Sequence, residues 1–198
     1  IVDEIPLYLK QNKTLFMEIV IILGLIFFNG ILSMSEIAMV SARKSRLETA
    51  AKKGSKTAKT ALRLANEPDR FLSTIQIGIT LIGILTGLYS GEALAGDLAR
   101  WLETIGIPQA HSLTLAKGII VILVTYLTLI LGELVPKHLG MNAPEKIARL
   151  IARPMEVLSK IASPFVWLLS ASTQAVIRLT GLHTSTENKV TEEEIKAI

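Results

Sequence analysis

The sequence predicts an all-α membrane protein with three transmembrane helices and amphipathic juxtamembrane helices. Half of its 198 residues are apolar, the mean hydropathy is +0.48 and only 19% of the residues are charged. The apolar residues are clustered, since residues 19–35, 71–91 and 118–132 contain no Asp, Glu, Lys or Arg. With helical flanks, each segment approaches the roughly 20 residues that cross about 30 Å of hydrocarbon.

The predicted crossings and the helices beside them divide the chain in order. We expect one transmembrane domain over residues 15–182, because the apolar segments and the amphipathic stretches between them all fall within it. A segment outside the cytoplasm precedes this domain, and a linker follows it. The boundaries are 1–14 for the N-terminal segment, 15–42, 70–95 and 112–137 for the crossings, 43–66 and 144–180 for the juxtamembrane helices, and 183–198 for the linker.

Local sequence signals support these boundaries. Residues 41–66 contain no Pro and are rich in Ala, Lys, Arg and Leu, so they favour a helix with Gly54 as its weak point. Pro68, beside acidic residues, predicts the start of the second crossing. Residues 161–177 are uncharged but interrupted by Pro164, and we expect them to lie at the membrane interface.

The distribution of Lys and Arg predicts the orientation in the membrane. Residues 43–70 carry nine basic and three acidic residues, and residues 137–160 carry five and two, whereas residues 95–117 carry two of each. Because basic loops stay in the cytoplasm, we expect a multi-pass protein of the inner or plasma membrane with its N-terminus outside and its C-terminus inside. The pI near 9.4 then reflects contact with membrane lipid, and we expect no nucleic-acid partner.

A carboxylate and a proline end the third apolar segment. Glu133 lies at membrane depth, where a carboxylate must be neutralised, hydrated or bound. Pro136 has no N–H for the carbonyl of Gly132, so a carbonyl and a carboxylate oxygen come together as hard ligands for Mg²⁺, Ca²⁺ or Na⁺. In the alternative interpretation, the helix simply ends here and Glu133 extends toward the headgroups.

Polar residues on the first crossing share one helical face. Asn29, Ser33 and Glu36 are spaced by four and three residues, so their oxygens can point into one place. Ordinary helix packing is the alternative for Asn29 and Ser33. Glu36 is close to the basic segment, which is formed by residues 43–70. For Glu36 we therefore expect an ion pair with an arginine or lysine.

The second crossing has two faces with different roles. A row of small residues at every fourth position favours close packing against a neighbouring helix or a second subunit, and a dimer is an inference beyond that packing. Gln76 and Thr80, one turn apart, could reach the space near Asn29 and Glu133, although amides and hydroxyls in membrane helices are more often structural. The small row consists of Gly83, Gly87, Gly91 and Ala95.

Three stretches together resemble the transmembrane module of the CorC/CNNM family of magnesium transporters, including its hemolysin-like bacterial branch. They are Phe28-Asn29-Gly30-Ile31-Leu32-Ser33-Met34-Ser35-Glu36-Ile37-Ala38, Leu72-Ser73-Thr74-Ile75-Gln76-Ile77-Gly78 and Gly132-Glu133-Leu134-Val135-Pro136-Lys137.

The resemblance implies a dimer that binds a largely dehydrated Mg²⁺ between its helices. Transferred to this sequence, the family's ligands would be Asn29, Ser33, the Gly132 carbonyl and Glu133. The resemblance also implies Mg²⁺ export, with Na⁺ as the candidate exchange ion, under the control of a cytoplasmic pair of CBS domains that binds ATP. Residues 190–196 resemble the linker into that pair, so we expect the sequence to be part of a longer protein.

The sequence departs from the family pattern in the second helix. It has Gly78-Ile79-Thr80 where many magnesium-transporting members have Gly-Asn-Asn, and Asn29 where a serine is common. Gln76 or Thr80 would have to replace the lost oxygen ligand. Because Mg²⁺ requires near-octahedral oxygen geometry at about 2.1 Å, this exchange bears directly on which cation is bound.

Three functional hypotheses follow. The first is a divalent-cation transporter for Mg²⁺ in which Glu133 supplies charge and rearrangement at Pro136 alternates access. The second is a transporter of another cation, such as Na⁺ or an organic polyamine, through the same acidic cavity. The third is a non-transporting anchor or dimerisation module in which Glu133 pairs with Lys137. An enzyme is not expected, because no nucleophile and base pattern is evident.

Overall fold

The computed structural model describes residues 4–179, with side chains from residue 15 onward except that of Glu92. The predicted linker at 183–198 lies outside the described residues, as do residues 1–3 of the predicted N-terminal segment. The described chain consists of helices joined by short turns, with no strand among the described residues, in agreement with the predicted all-α class. Its elements are α1 (Glu4–Ser41), α2 (Lys44–Lys52), α3 (Lys56–Asn66), α4 (Pro68–Ala93), α5 (Ala95–Thr104), α6 (Gln109–Leu129), a π-helical turn (Ile130–Leu134), α7 (Val135–Asn142) and α8 (Pro144–Leu179).

Three helical stretches in the described part of the chain are long and apolar enough to cross a membrane. They are Leu15–Ser41, Pro68–Thr104 and Gln109–Asn142, and they confirm the three predicted transmembrane helices. Large apolar side chains project outward from them, as illustrated by Phe27 and Ile122, which are 71% and 72% exposed. An apolar outer surface of this kind suits contact with hydrocarbon. The helices also pair their own backbone N–H and C=O groups, as hydrocarbon requires.

The juxtamembrane elements follow the local signals with two differences. The predicted helix at 43–66 is divided into α2 and α3, because Gly54 adopts a φ of +90°, which residues with a side chain rarely adopt. The Ser55 side chain then caps α3 by accepting a hydrogen bond from the Ala58 N–H at 3.2 Å. Pro164 lies within α8 without ending it, since the remaining hydrogen bonds of this 36-residue helix offset the cost of about 3 kcal/mol that an interior proline carries.

The described chain divides into two compact units, one ending at residue 160 and the other beginning at residue 161. In the first unit, α1 packs on one side against α4 and on another against the π turn and α7, while α5 packs against α6. Its main core joins Leu32 of α1, Leu47 of α2 and Ile75 of α4, all fully buried. In the second unit the described residues are 161–179, which form the C-terminal part of α8.

Candidate cation site

The helix that carries Glu133 changes from α to π geometry over Ile130–Leu134. The Val135 N–H donates to the carbonyl of Ile130, five residues earlier, and Pro136 has no N–H. In an α-helix these two residues would serve the carbonyls of Leu131 and Gly132. Both carbonyls therefore lose their α-helical donors. The sequence predicted the loss at Gly132, whereas the π turn and the loss at Leu131 were not predicted.

Both carbonyls lie against α1. A Cβ added to Gly30 would meet the Leu131 carbonyl oxygen at 3.1 Å and the Pro136 ring at 2.9 Å, so only glycine allows this approach. The Asn29 side-chain amide donates a hydrogen bond of 3.1 Å to the Gly132 carbonyl oxygen. Asn29 therefore replaces the donor that Pro136 removed, and α1 contacts the π turn through backbone atoms.

A row of small residues extends this contact along α7. Gly132, Pro136 and Gly140 recur at every fourth position and are all buried. A Cβ on Gly140 would lie 2.8 Å from the Met34 carbonyl oxygen of α1. These three residues form a small-residue packing face. Their four-residue spacing in the sequence could have predicted this face. At Gly83, Gly87 and Gly91, by contrast, an added Cβ would meet nothing within 4 Å, so these three glycines of the expected packing row have no close contact within the described chain, whereas Ala95, the last residue of the row, is buried.

Three buried side-chain oxygens have no hydrogen-bond partner among the described residues. They are Asn29 Oδ1, Ser33 Oγ and Thr128 Oγ1. Asn29 is 4% exposed and Ser33 is fully buried. Because an unsatisfied buried oxygen costs about 1–3 kcal/mol, such atoms need a compensating ligand or water. Thr128 was not predicted, although its place one turn before Gly132 brings its hydroxyl to the same helical face.

Lys137 of α7 lies between two carboxylates, that of Glu133 on the π turn and that of Glu36 on α1. Lys137 Nζ is 2.7 Å from Glu133 Oε1 and 3.8 Å from Glu36 Oε2. Glu36 is ion-paired as expected, but its partner is not in the adjacent basic segment. The reason is that α7 runs along α1 and brings Lys137 to it, while Arg46 of the basic segment lies 3.5 Å from Glu145. This local charge balance is what membrane depth requires of Glu133.

The predicted second-helix ligands do not join this group. Gln76 and Thr80 are exposed, whereas α4 faces α1 through Ile75 and through Gly78, against which Leu32 packs. Within the described residues, no group of three or more His, Cys, Asp or Glu side chains is close enough to hold a metal ion. The candidate site consists instead of neutral oxygens on α1 and the π turn, with two carboxylates beside them.

Comparison with known proteins supports a single family. The family described as the cyclin M transmembrane N-terminal domain matches residues 20–198. A UPF0053 protein of Synechocystis sp. is 46% identical over 182 residues, which cover 92% of this chain and 41% of that protein. A polyamine export protein of Haemophilus influenzae is 30% identical over 184 residues, or 93% of this chain and 42% of that protein. One of Escherichia coli is 29% identical over 181 residues, covering 91% and 40% respectively. The chain thus spans about two fifths of the length of these relatives.

Proposed function

Since this chain belongs to the family of cyclin M transmembrane domains, which associates it with ion transport across membranes, we propose that it is a cation transporter with Mg²⁺ as its cargo. The observation that carries the proposal is that the buried side-chain oxygens of Asn29 and Ser33 on α1 have no partner among the described residues, on the helix whose Asn29 contacts the π turn. Hard oxygen ligands are what Mg²⁺ binds in proteins, usually together with retained waters. Asn29, Ser33 and the Gly132 carbonyl supply the neutral oxygens, and Glu133 supplies charge.

Cation binding requires an exchange of hydrogen bonds at Gly132. In the structure the Asn29 N–H₂ group donates to the Gly132 carbonyl, and its own oxygen is left without a partner. Rotation of the amide turns its oxygen toward a cation and frees the carbonyl to bind the same cation. The cation then satisfies both oxygens, which offsets part of the cost of its dehydration.

The packing between α1 and α7 suggests how access alternates. Backbone contact at Gly30 and Gly140 fixes α1 against the small face of Gly132, Pro136 and Gly140. A π turn has weaker hydrogen bonding than an α-helix and is a common site of functional rearrangement. We assign the opening movement to this turn, with Pro136 preventing a return to regular α-helix.

The transport direction, the oligomeric state, the membrane orientation and the regulation are part of the same proposal. Export of Mg²⁺, exchanged for Na⁺, would proceed in a homodimer whose N-termini lie outside the cell and whose C-termini lie in the cytoplasm. The unfilled glycine row at Gly83, Gly87 and Gly91 is available to a second subunit. CBS domains that bind ATP would regulate the full-length protein.

Flux measurements in proteoliposomes test the transport proposal. We expect Mg²⁺ flux through the wild-type chain and at least a tenfold lower flux through Glu133→Gln. The matched control is Glu48→Gln, which removes an exposed carboxylate that pairs with Lys52 at 3.0 Å on α2. Equal flux for wild type and Glu133→Gln would overturn the assignment of Glu133.

An organic polyamine is the second candidate cargo, favoured by one observation in the structure. The carboxylates of Glu36 and Glu133 already hold a primary ammonium group, that of Lys137. Two relatives are named polyamine export proteins. Spermidine that displaces Mg²⁺ from the wild type, with no binding to Glu133→Gln, would establish this cargo. Retention of Mg²⁺ at saturating spermidine would exclude it.

A non-transporting anchor is the third candidate, because the Glu133–Lys137 pair satisfies both charges without any cargo. It predicts no flux of Mg²⁺, Na⁺ or spermidine, together with loss of dimerisation in Gly87→Leu. Flux that depends on Glu133 excludes this candidate.

A further inference from the structure

Lys137 occupies the position that a cargo cation would take beside the two carboxylates. Its ammonium nitrogen is 2.7 Å from Glu133 Oε1 and 3.8 Å from Glu36 Oε2, and the three side chains come from the π turn, α7 and α1. An ammonium group and a metal cation make the same demand on a carboxylate, namely its negative charge. One of them must leave before the other can bind there.

We infer that Lys137 is a tethered competitor of the cargo, which holds the Glu36 and Glu133 carboxylates when the site is empty and withdraws when a cation binds. The inference rests on the proposed transport function and deepens it, because it adds Glu36 as a cation-binding residue and gives Lys137 a regulatory role. The cargo class is unchanged: a divalent metal cation or an organic ammonium compound.

The electrostatics of an empty carrier explain why such a competitor is useful. Two neighbouring, partly buried carboxylates without a cation between them repel each other, and a transporter that has released its cargo must still return. Lys137 supplies the missing charge at that stage from within the same helix. Its side chain is 32% exposed, so the flexible four-carbon stem has room to swing aside.

A buried hydroxyl on the same face of α1 as Glu36 independently indicates a ligand there. Ser33 lies three residues before Glu36 on the same face of α1, is fully buried, and its Oγ has no partner among the described residues. Lys137 does not satisfy this oxygen in the lysine-bound state. A cation held between Ser33 and the two carboxylates would do so.

The first test compares Mg²⁺ affinity by isothermal titration of the purified chain. If Lys137 holds the carboxylates about nine tenths of the time, its removal raises the apparent affinity about tenfold. We expect this gain for Lys137→Gln and wild-type affinity for Lys137→Arg. The control is Lys160→Gln, because Lys160 also pairs with a glutamate four residues away, Glu156 at 3.3 Å. The double variant Lys137→Gln/Glu36→Gln should lose the gain.

Flux kinetics give a readout that a merely structural lysine would not produce. Because the empty carrier of Lys137→Gln must return with uncompensated carboxylates, we expect its maximal flux to fall while its half-saturating Mg²⁺ concentration also falls. A lysine that only stabilises the fold would lower the amount of active protein and leave the half-saturating concentration unchanged.

A third measurement uses the wild-type chain and so does not depend on a variant that folds. Saturating Mg²⁺ should displace the Lys137 amine from Glu133 and increase its labelling by an amine-reactive reagent several-fold, with Lys160 unchanged. Slower or unchanged labelling of Lys137 would overturn the inference.

The outcomes separate this inference from the transport proposal. If Mg²⁺ binding requires Glu133 but Lys137→Gln binds equally or more weakly, the competitor role is wrong and the transport proposal stands. If neither wild type nor Lys137→Gln binds Mg²⁺ or spermidine, both are wrong.

Discussion

The side-chain amide of Asn29 donates a hydrogen bond to the carbonyl oxygen of Gly132, which is 103 residues away in the sequence. This contact joins the first crossing to the only stretch of the described chain with π geometry. It satisfies a carbonyl that the following proline has deprived of its α-helical donor. In the proposed function, this hydrogen bond is the one that a bound cation would replace.

Removal of the Asn29 amide tests this contact. In Asn29→Leu the Gly132 carbonyl loses its donor, and we expect the free energy of unfolding to fall by about 1–3 kcal/mol. Mg²⁺ affinity should fall at least tenfold because an oxygen ligand is lost. Thermal unfolding in detergent and isothermal titration provide the measurements. Thr86→Val is the control, since the Thr86 hydroxyl is buried but donates within its own helix, to the Ile82 carbonyl at 2.7 Å. Unchanged Mg²⁺ affinity in Asn29→Leu would remove Asn29 from the site.

Two buried serines on α1 provide a matched pair. Ser33 Oγ has no partner among the described residues, whereas Ser35 Oγ donates to the Ile31 carbonyl at 2.6 Å. Without Mg²⁺, Ser33→Ala should be as stable as wild type or more stable by about 1 kcal/mol, because an unsatisfied oxygen is removed. With Mg²⁺ it should bind about tenfold more weakly by titration, while Ser35→Ala should bind normally. A Ser33→Ala variant that loses stability without Mg²⁺ and binds normally would show that the hydroxyl is structural.

The close approach of α1 to the π turn should tolerate no added methyl group. In Gly30→Ala the new Cβ would meet the Pro136 ring at 2.9 Å, and we expect a loss of about 1–3 kcal/mol in thermal unfolding. Gly24→Ala lies on the same helix, where an added Cβ meets nothing within 4 Å. It should gain up to about 1 kcal/mol from helix propensity. Equal unfolding temperatures for the two variants would contradict the backbone contact.

Pro136 should be required for Mg²⁺ binding through its missing N–H. In Pro136→Ala the restored N–H can donate to Gly132, so the carbonyl stays paired and Mg²⁺ affinity should fall about tenfold. Pro154→Ala, an exposed proline within α8, is the control and should bind as wild type does. Isothermal titration of both variants with Mg²⁺ measures the two affinities. Normal binding by Pro136→Ala would show that the Gly132 carbonyl is not a ligand.

Some features of the site could be predicted because they depend on neighbouring residues in one helix. Asn29, Ser33 and Glu36 share a face through their spacing alone, and Pro136 removes a donor wherever it stands. The π turn and the Leu131 carbonyl could not be predicted in this way. They depend on the donation of the Val135 N–H to the Ile130 carbonyl instead of the Leu131 carbonyl, and the close packing of the Leu131 carbonyl against Gly30 accompanies that hydrogen bond.

The sequence by itself determined the three apolar helices and the polar face on the first of them. The reason is that hydropathy and helical periodicity are properties of local segments. The tertiary structure decided which residues meet. It paired Glu36 with Lys137 instead of the basic segment, left Gln76 and Thr80 exposed, and placed the small-residue contact at Gly132 and Gly140. The physical reason is that these outcomes depend on the rotation and register of helices far apart in the sequence, which a local pattern does not encode.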